Sequence, residues 1–417
     1  MKSELPGYEQ ACAVVDGIAA RIGRSLTHVE EVDLGRAAGR VLAEALIADL
    51  DQPPFARSTR DGFACRAKEA NLHKALGVAG SIHAGQTPGG PLPAGSAWEI
   101  MTGAPVPEGA NAVAMVEHVE VKCNQVRLLP PRQLEPGENI VARGSQAVAG
   151  QRLLEAGTQI TFAQIALAAS CGYSTLKVFA RPRVAILATG DEIVPVGQVP
   201  APGQIRNSNA PMLAALVEAA GGEPWILPAA ADTAAALDAA LVQALQAELL
   251  VVSGGVSAGK FDLVEPALAR MGAHFHFTGV RIQPGKPLVF GDVPRPLDSR
   301  GALRFFGLPG NPVSSAVTFM LFATRMLAAL SGRPGGLRFA LARLVEVKGK
   351  TGKNGLTCFL PAACDFNAST DSLPEVRLTH TQGSGDLAAL ARSNCFVVIP
   401  EESTHKENGE TVRILFF

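Results

Sequence analysis

The 417-residue sequence is poor in several things that particular functions require. Aromatic side chains make up 5% of it, with 2 Trp and 2 Tyr, so it offers few stacking platforms for nucleic-acid bases. Lys and Arg number 37 against 38 Asp and Glu, and a net charge of -1 supplies no bulk field for nucleic acid or an anionic membrane. Any anionic ligand must therefore be held by local clusters. The seven cysteines (Cys12, Cys65, Cys123, Cys171, Cys358, Cys364 and Cys395) form no C-x-x-C pair, which indicates neither a zinc site nor a disulfide framework. The N-terminal stretch MKSELPGYEQ lacks the apolar core of a signal peptide. The most apolar helix-like run, 312–330, is interrupted by Ser314, Ser315, Thr318 and Arg325 and reads as a buried helix. A soluble cytoplasmic protein with no nucleic-acid or membrane partner is expected.

Apolar residues reach 47% and charged residues 18%, which excludes disorder, and the length is enough for about three domains. Residues from about Tyr8 to Ile47 read as helical, with Val14, Ile18 and Ile22 at helical spacing. The breaker Asp51-Gln52-Pro53-Pro54 opens a segment of short strands (Trp98–Met101, Ala112–Val116, Val126–Leu129) between Gly/Pro turns. A helical pattern returns around Phe162–Ser170. The expected arrangement is a helical/linker domain made of 1–50 and 144–180, carrying an inserted β-rich lobe at 51–143. From 181 to 331, apolar strands at Arg183–Ala188, Glu223–Leu227, Leu249–Val252 and Leu303–Phe306 alternate with helical stretches at 209–220, 233–247, 262–271 and 312–330. That alternation predicts an α/β domain, a parallel sheet with helices on both faces, whose ligand crevice lies beyond the carboxyl ends of the strands. Short strands from 332 to 417 suggest a C-terminal small β-barrel. The fold class is thus α/β multidomain.

Three strand ends in the α/β region run into loops of small and polar residues: Ala188-Thr189-Gly190-Asp191-Glu192, Ser253-Gly254-Gly255-Val256-Ser257-Ala258-Gly259-Lys260 followed by Asp262, and Gly307-Leu308-Pro309-Gly310-Asn311-Pro312-Val313-Ser314. Glycine-loop amides favour anions, and nearby carboxylates suit a divalent cation that bridges phosphates. The second loop has Walker A spacing from Gly254 to Lys260, but Phe261 stands where a hydroxyl must reach Mg²⁺, which argues against a P-loop NTPase. Val280-Arg281-Ile282-Gln283-Pro284-Gly285-Lys286-Pro287 adds two cations in a braced turn; alone it reads as a hairpin with a solvated lysine. Ser58-Thr59-Arg60-Asp61-Gly62 and Met101-Thr102-Gly103-Ala104-Pro105 are, alone, ordinary turns. His274 and His276 alternate on what reads as a strand, but no third ligand is evident and metal binding there is not expected. Cys171 and Cys395 read as core residues, and no nucleophile elbow accompanies Ser253 or Ser257.

In combination the segments say more. The order S-x-x-D-G-[FY]-A, I-M-T-G-A-P-V-P, T-G-D-E, S-G-G-V-S-x-G, P-G-K-P and G-L-P-G-N-P-V-S resembles the molybdopterin molybdenumtransferase (MoeA, gephyrin E-domain) family over essentially the whole chain. The resemblance implies an elongated four-part homodimer performing the last step of molybdenum cofactor biosynthesis. Adenylylated molybdopterin and molybdate are the substrates, Mg²⁺ the cofactor and AMP the released product, with an upstream adenylyltransferase as a handover partner. By motif, Asp191, Glu192 and Asp262, with Asp232, become the carboxylates for Mg²⁺ and the phosphates. Gly254, Gly255 and Ser257 would line the pyrophosphate, with Thr189, Gly190, Ser253, Pro309, Gly310, Asn311 and Ser384 completing the binding set. Lys286, Pro287 and Ser314 would lie near the oxyanion. Asp61 and Thr102 would act across the dimer interface.

The sequence also departs from the family's pattern. The usual K-P-G-K-P reads Gln283-Pro284-Gly285-Lys286-Pro287, and an acid-Asp pair is replaced by Ser145-Gln146. The customary Gly-Arg-x-x-Phe-x-Arg reads Gly355-Leu356-Thr357-Cys358-Phe359-Leu360-Pro361, without either arginine, although Gln382-Gly383-Ser384 is kept. A charge-assisted hydrogen bond contributes roughly 1.5–3 kcal/mol, so losing up to three cations weakens an oxyanion site unless Arg281, Lys260 or Arg206 compensates. These departures keep open a non-enzymatic paralogue that binds and carries or senses the pterin cofactor. A nucleotide pyrophosphate hydrolase using the same carboxylates is a third reading.

Overall fold

The structure is a computed structural model that describes residues 5–23, 28–255, 263–295, 300–347, 351–365, 373–403 and 405–417. Its central α/β unit is built from α1 (Tyr8–Gly23), β1 (Arg183–Ala188), α2 (Asn209–Ala219), β2 (Glu223–Ile226), α3 (Ala234–Ala244), β3 (Leu249–Ser253), α4 (Val264–Arg270), β4 (His274–Thr278), β5 (Val289–Val293), β6 (Leu303–Leu308) and the long helix α5 (Pro312–Leu330). The strand order is β2-β1-β3-β6-β5-β4. The first four strands are parallel, and β5 and β4 extend the sheet by antiparallel pairing. All five residues of β3, Leu-Leu-Val-Val-Ser, are buried, as expected of a strand covered on both faces. One face packs on α1, α2 and α5, the other on α3 and α4.

Helix boundaries follow local chemistry. The Thr233 hydroxyl caps α3 by accepting from the Ala236 amide at 3.3 Å. Pro312 occupies the first turn of α5, where its missing N–H costs nothing. Among the described residues, α5 is the one helix long and apolar enough to cross a membrane, and most of it is buried inside the α/β unit.

The α1 helix buries Ala11, Val15, Ile18 and Ala19 in the same core as α2 and α5. Asp16 accepts from Arg325 Nη1 at 2.6 Å, and Tyr8 meets the edge of Phe322 with ring centroids 6.1 Å apart. The helical reading of residues 8–47 ends at Gly23. Beyond it Val29–Asp33 is a strand, paired antiparallel with Thr175–Phe179, since Val32, Leu176 and Val178 alternate at the period of a strand rather than a helix. Leu46–Ile47 pairs with Arg152–Leu154, and Arg57–Ser58 pairs with Ile140–Val141. The outgoing and returning chains thus run side by side around the Phe162–Ser170 helix, whose start carries a Thr161/Gln164 capping box.

Between those paired segments lies a six-stranded sheet in the order Ala112–Met115, Gly62–Cys65, Ser96–Ile100, Leu76–Ile82, Gln125–Leu128, Val119–Lys122. At the other end of the chain, Thr357–Asp365, Glu375–Leu378, Phe339–Val345, Thr411–Phe416 and Cys395–Ile399 close on one another as a small barrel. Ile282–Gln283 from the α/β unit joins that barrel by parallel pairing with Thr357–Cys358.

Phe322 is fully buried and touches the rings of both Tyr8 and Phe277. Phe322→Ala is expected to destabilise the protein by about 3–5 kcal/mol, read from the urea unfolding midpoint.

Candidate active site

Three parallel strands end at one level. Ala188, Ser253 and Leu308 lie side by side in register, and the backbone ladder continues one residue further, Thr189 N–H to Ser253 at 3.2 Å and Gly254 N–H to Leu308 at 3.1 Å. The loops that follow open on a cavity of about 450 Å³ lined by Thr189, Gly190, Glu192, Asp232, Ser253, Gly254, Gly255, Pro287, Pro309, Gly310 and Asn311. Ala188, Ile193, Ile205, Arg206, Asn207, Ser208, Asn209 and Pro312 complete the wall. It is the crevice expected beyond the carboxyl ends of a parallel sheet.

Two glycines are required by geometry. Gly190 has φ +135°, and a Cβ there would run into the Glu192 carboxylate. Gly255 has φ +64°, with Val264 Cγ2 and Thr189 Oγ1 at 2.7 and 2.8 Å from where a Cβ would stand. The chain can turn this tightly beside Thr189 only with glycine.

Asn209 braces the cavity floor. Its amide donates to Ser253 Oγ at 2.8 Å and to the Gly310 carbonyl at 2.7 Å, tying the end of β3 and the loop after β6 to the start of α2. Its own Oδ1 is buried without a partner, as is Thr189 Oγ1. Two buried oxygens without a protein partner beside one polar cavity are uncommon in a folded protein and point to this cavity as the place where further hydrogen bonding is available. Asn311 faces the other way, donating to Ser384 Oγ of the terminal barrel at 2.8 Å, and Val313 N–H donates to the Ser384 carbonyl at 3.0 Å. Asp191 lies beside the cavity and accepts from the Asp232 amide at 3.0 Å, which joins the two acidic loops.

The remaining sequence candidates fall elsewhere. Ser314 is buried in the first turn of α5 and does not line the cavity. Lys286 is exposed next to Pro287 and likewise lies off the wall. Asp61 and Thr102 sit together on the inserted lobe, where Asp61 Oδ1 accepts from the Thr102 amide at 2.6 Å and from its hydroxyl at 2.8 Å. The amide bond, then the hydroxyl bond, holds the Asp61 carboxyl below its ordinary range. Ser257, Lys260 and Asp262 lie outside the described residues. Burial pushes the Cys395 thiol up to about 12, as befits a core residue rather than a nucleophile.

Residues 7–172 match the MoeA N-terminal region (domains I and II), 185–329 the probable molybdopterin binding domain, and 348–417 the MoeA C-terminal region (domain IV). The chain belongs to the MoeA family. It is 34% identical to a molybdopterin molybdenumtransferase of Nostoc, covering 99% of this chain and 94% of that one. A Haemophilus influenzae protein of the same name is 33% identical, over 93% of this chain and 94% of its own. A crystal structure of a molybdopterin biosynthesis MoeA protein from Pyrococcus horikoshii superposes with a TM-score of 0.78 at 31% identity, covering 99% of each chain.

Within this MoeA-family cavity, sequence reasoning missed Asn207, Ser208 and Asn209, and named Arg206 only as a compensating cation. The available signal was the run Arg206-Asn207-Ser208-Asn209 at the start of a helix that begins near a strand end. Because both of its structural bonds are donated by the Asn209 amide nitrogen, Asn209→Ala and Asn209→Asp are both expected to lower stability by about 1–3 kcal/mol. Chemical denaturation of the two variants checks this; an unchanged Asn209→Asp protein would show that the amide brace contributes nothing.

Proposed function

We propose that this MoeA-family chain is a transferase that inserts molybdenum into molybdopterin, taking the pterin in adenylylated form together with molybdate and Mg²⁺ and releasing AMP. The observation that carries the reading is the cavity itself, with glycine-loop amides, two unsatisfied buried oxygens and two lining carboxylates at the ends of three parallel strands. A pterin nucleotide joined by a phosphoanhydride presents to such a cavity what it can complete: phosphate oxygens for the backbone amides and hydroxyl donors for Thr189 and Asn209.

Glu192 and Asp232, with Asp191 beside them, are hard oxygen donors of the kind Mg²⁺ prefers, so the residues present fit that ion. When bound, Mg²⁺ supplies charge neutralisation at the phosphate oxygens. The chain's own contribution is orientation: Gly254 and Gly255 let the backbone approach the pyrophosphate, Ser253 and Asn209 hold the loop, and Arg206 balances part of the remaining negative charge. Pro309, Gly310 and Asn311 continue the wall beside Gly254, and Asn311 is anchored by its bond to Ser384. Lys286 and Pro287 are assigned to the molybdate by motif, Pro287 on the cavity wall and Lys286 exposed beside it. Ser257 and Asp262 belong to this set by motif alone.

The Asp61–Thr102 pair completes the reading through a homodimer in which the partner subunit's Asp61 reaches this cleft. The adenylylated substrate must be produced by an adenylyl-transferring enzyme, which makes that class of enzyme the expected handover partner in the cytoplasm.

Purified protein given adenylylated molybdopterin and Mg²⁺ is expected to release AMP in a saturable, molybdate-dependent way, and Glu192→Ala to reduce that turnover by about 100-fold or more, the scale on which lost electrostatic stabilisation acts. Binding of the pterin nucleotide with no release at any molybdate concentration would favour a cofactor carrier instead. The shared site has its own test. Glu192→Ala and Asp61→Asn subunits, each inactive alone, are expected to regain activity when mixed and allowed to exchange, because the heterodimer contains one intact cleft. Two inactive variants that stay inactive after proven exchange would show that Asp61 does not act across subunits.

A further inference from the structure

The far end of the same sheet carries a second group of potential ligands. β4 is the edge strand and begins at His274, which is registered with Asp292 of β5, and Asp292 in turn with Arg304 of β6. Arg304 is the second residue of β6, whereas the cavity lies beyond the last, so the two groups occupy opposite ends of the sheet. A bulge between Phe275 and Phe277 leaves His276 out of the strand pairing. The His274 and His276 rings meet edge to face with centroids 4.6 Å apart, and His276 Nε2 lies 2.7 Å from Asp292 Oδ2. Phe290 packs against the His276 ring at 5.0 Å and limits its rotation. One ligand atom from each of His274, His276 and Asp292 lies within 4.8 Å of the others.

We propose that His274, His276 and Asp292 bind a borderline first-row divalent ion, Zn²⁺ foremost. The sequence supplied only the two histidines; the third ligand comes from an adjacent strand brought into place by register. Two imidazoles and one carboxylate suit zinc and its neighbours, whereas Mg²⁺ prefers oxygen donors throughout. This chemistry separates the site from the Glu192 cleft. His274 is exposed and the other two are half-buried, which leaves room for water or a further ligand on the ion. Arg304 tempers the affinity, because it is Asp292's cross-strand neighbour and its positive charge, which interacts with that carboxylate, opposes a nearby cation. A site of moderate rather than structural-zinc affinity is the expected result.

The test uses the full chain, stripped with a chelator and titrated with Zn²⁺ against a chromophoric competitor. Wild-type protein is expected to take up one Zn²⁺ at this site, undiminished by an excess of Mg²⁺. His274→Gln, at an exposed position, and Asp292→Asn are each expected to weaken that binding by about 10- to 100-fold. Circular dichroism and metal-free unfolding should show that both variants are folded. Co²⁺ in place of Zn²⁺ should give ligand-field absorption bands that His274→Gln loses. Failure of the wild type to bind Zn²⁺, or unweakened binding in both folded variants, would overturn the proposal.

Discussion

Three parallel strands that stop at the same level are the constraint on which the cavity depends. Ala188, Ser253 and Leu308 are adjacent in register, so the chain leaves the sheet three times within one crevice. The register cannot slip. These strands are buried, and a one-residue shift would turn each core side chain to the opposite face. Each loop has then only to stay open and polar, which glycine at 190, 254 and 255 allows. Asn209 fixes the spacing of the end of β3 and the loop after β6 by bonding both from a third element. The cavity is therefore a consequence of sheet register, with the helices contributing its rim.

The departures from the family's pattern acquire a physical meaning in the barrel. Leu356 packs partly buried against the barrel core, and Pro361 is buried in the Thr357–Asp365 strand. Gln283 is paired beside Cys358, so this position and Leu356 lie at the seam where the α/β unit meets the barrel, whereas Pro361 pairs with Phe396 inside the barrel and Gln146 is bonded to Gln52 in the linker. Where the resemblance implies cations, this seam has apolar packing and an uncharged amide. Among the described residues that line the cavity, Arg206 carries the positive charge, steadied by its Nε bond to the Gln198 carbonyl at 3.1 Å.

Much of the α/β unit could be read directly. The strand read as Arg183–Ala188 and the helix found within Phe162–Ser170 have those same bounds in the structure, and the other α/β elements differ by a few residues at their ends. Continuous apolar runs between glycine loops can hardly be anything but buried strands, and their ends point to the crevice. The linker was less legible. Val29–Asp33 and Thr175–Phe179 are short, and a few apolar residues at mixed spacing satisfy a helical template as well as a strand; only their mutual pairing decides. The strand at His274 and His276 was legible, but its antiparallel place at the edge of the sheet, and β5 beside it, were not, since pairing direction leaves no local mark.

The sequence by itself determined the buried parallel strands of the α/β unit, the open polar loops that follow them, and the carboxylates and glycines at their ends, because those properties are set within a few residues of chain. Tertiary structure alone decided which distant groups meet. It placed α1 against α5, some 300 residues away; it put Asn209 between Ser253 and Gly310; and it set Asp292 beside His276. Each of these depends on register and packing across the sheet, where an apolar face accepts any partner of suitable shape and the folded whole selects one.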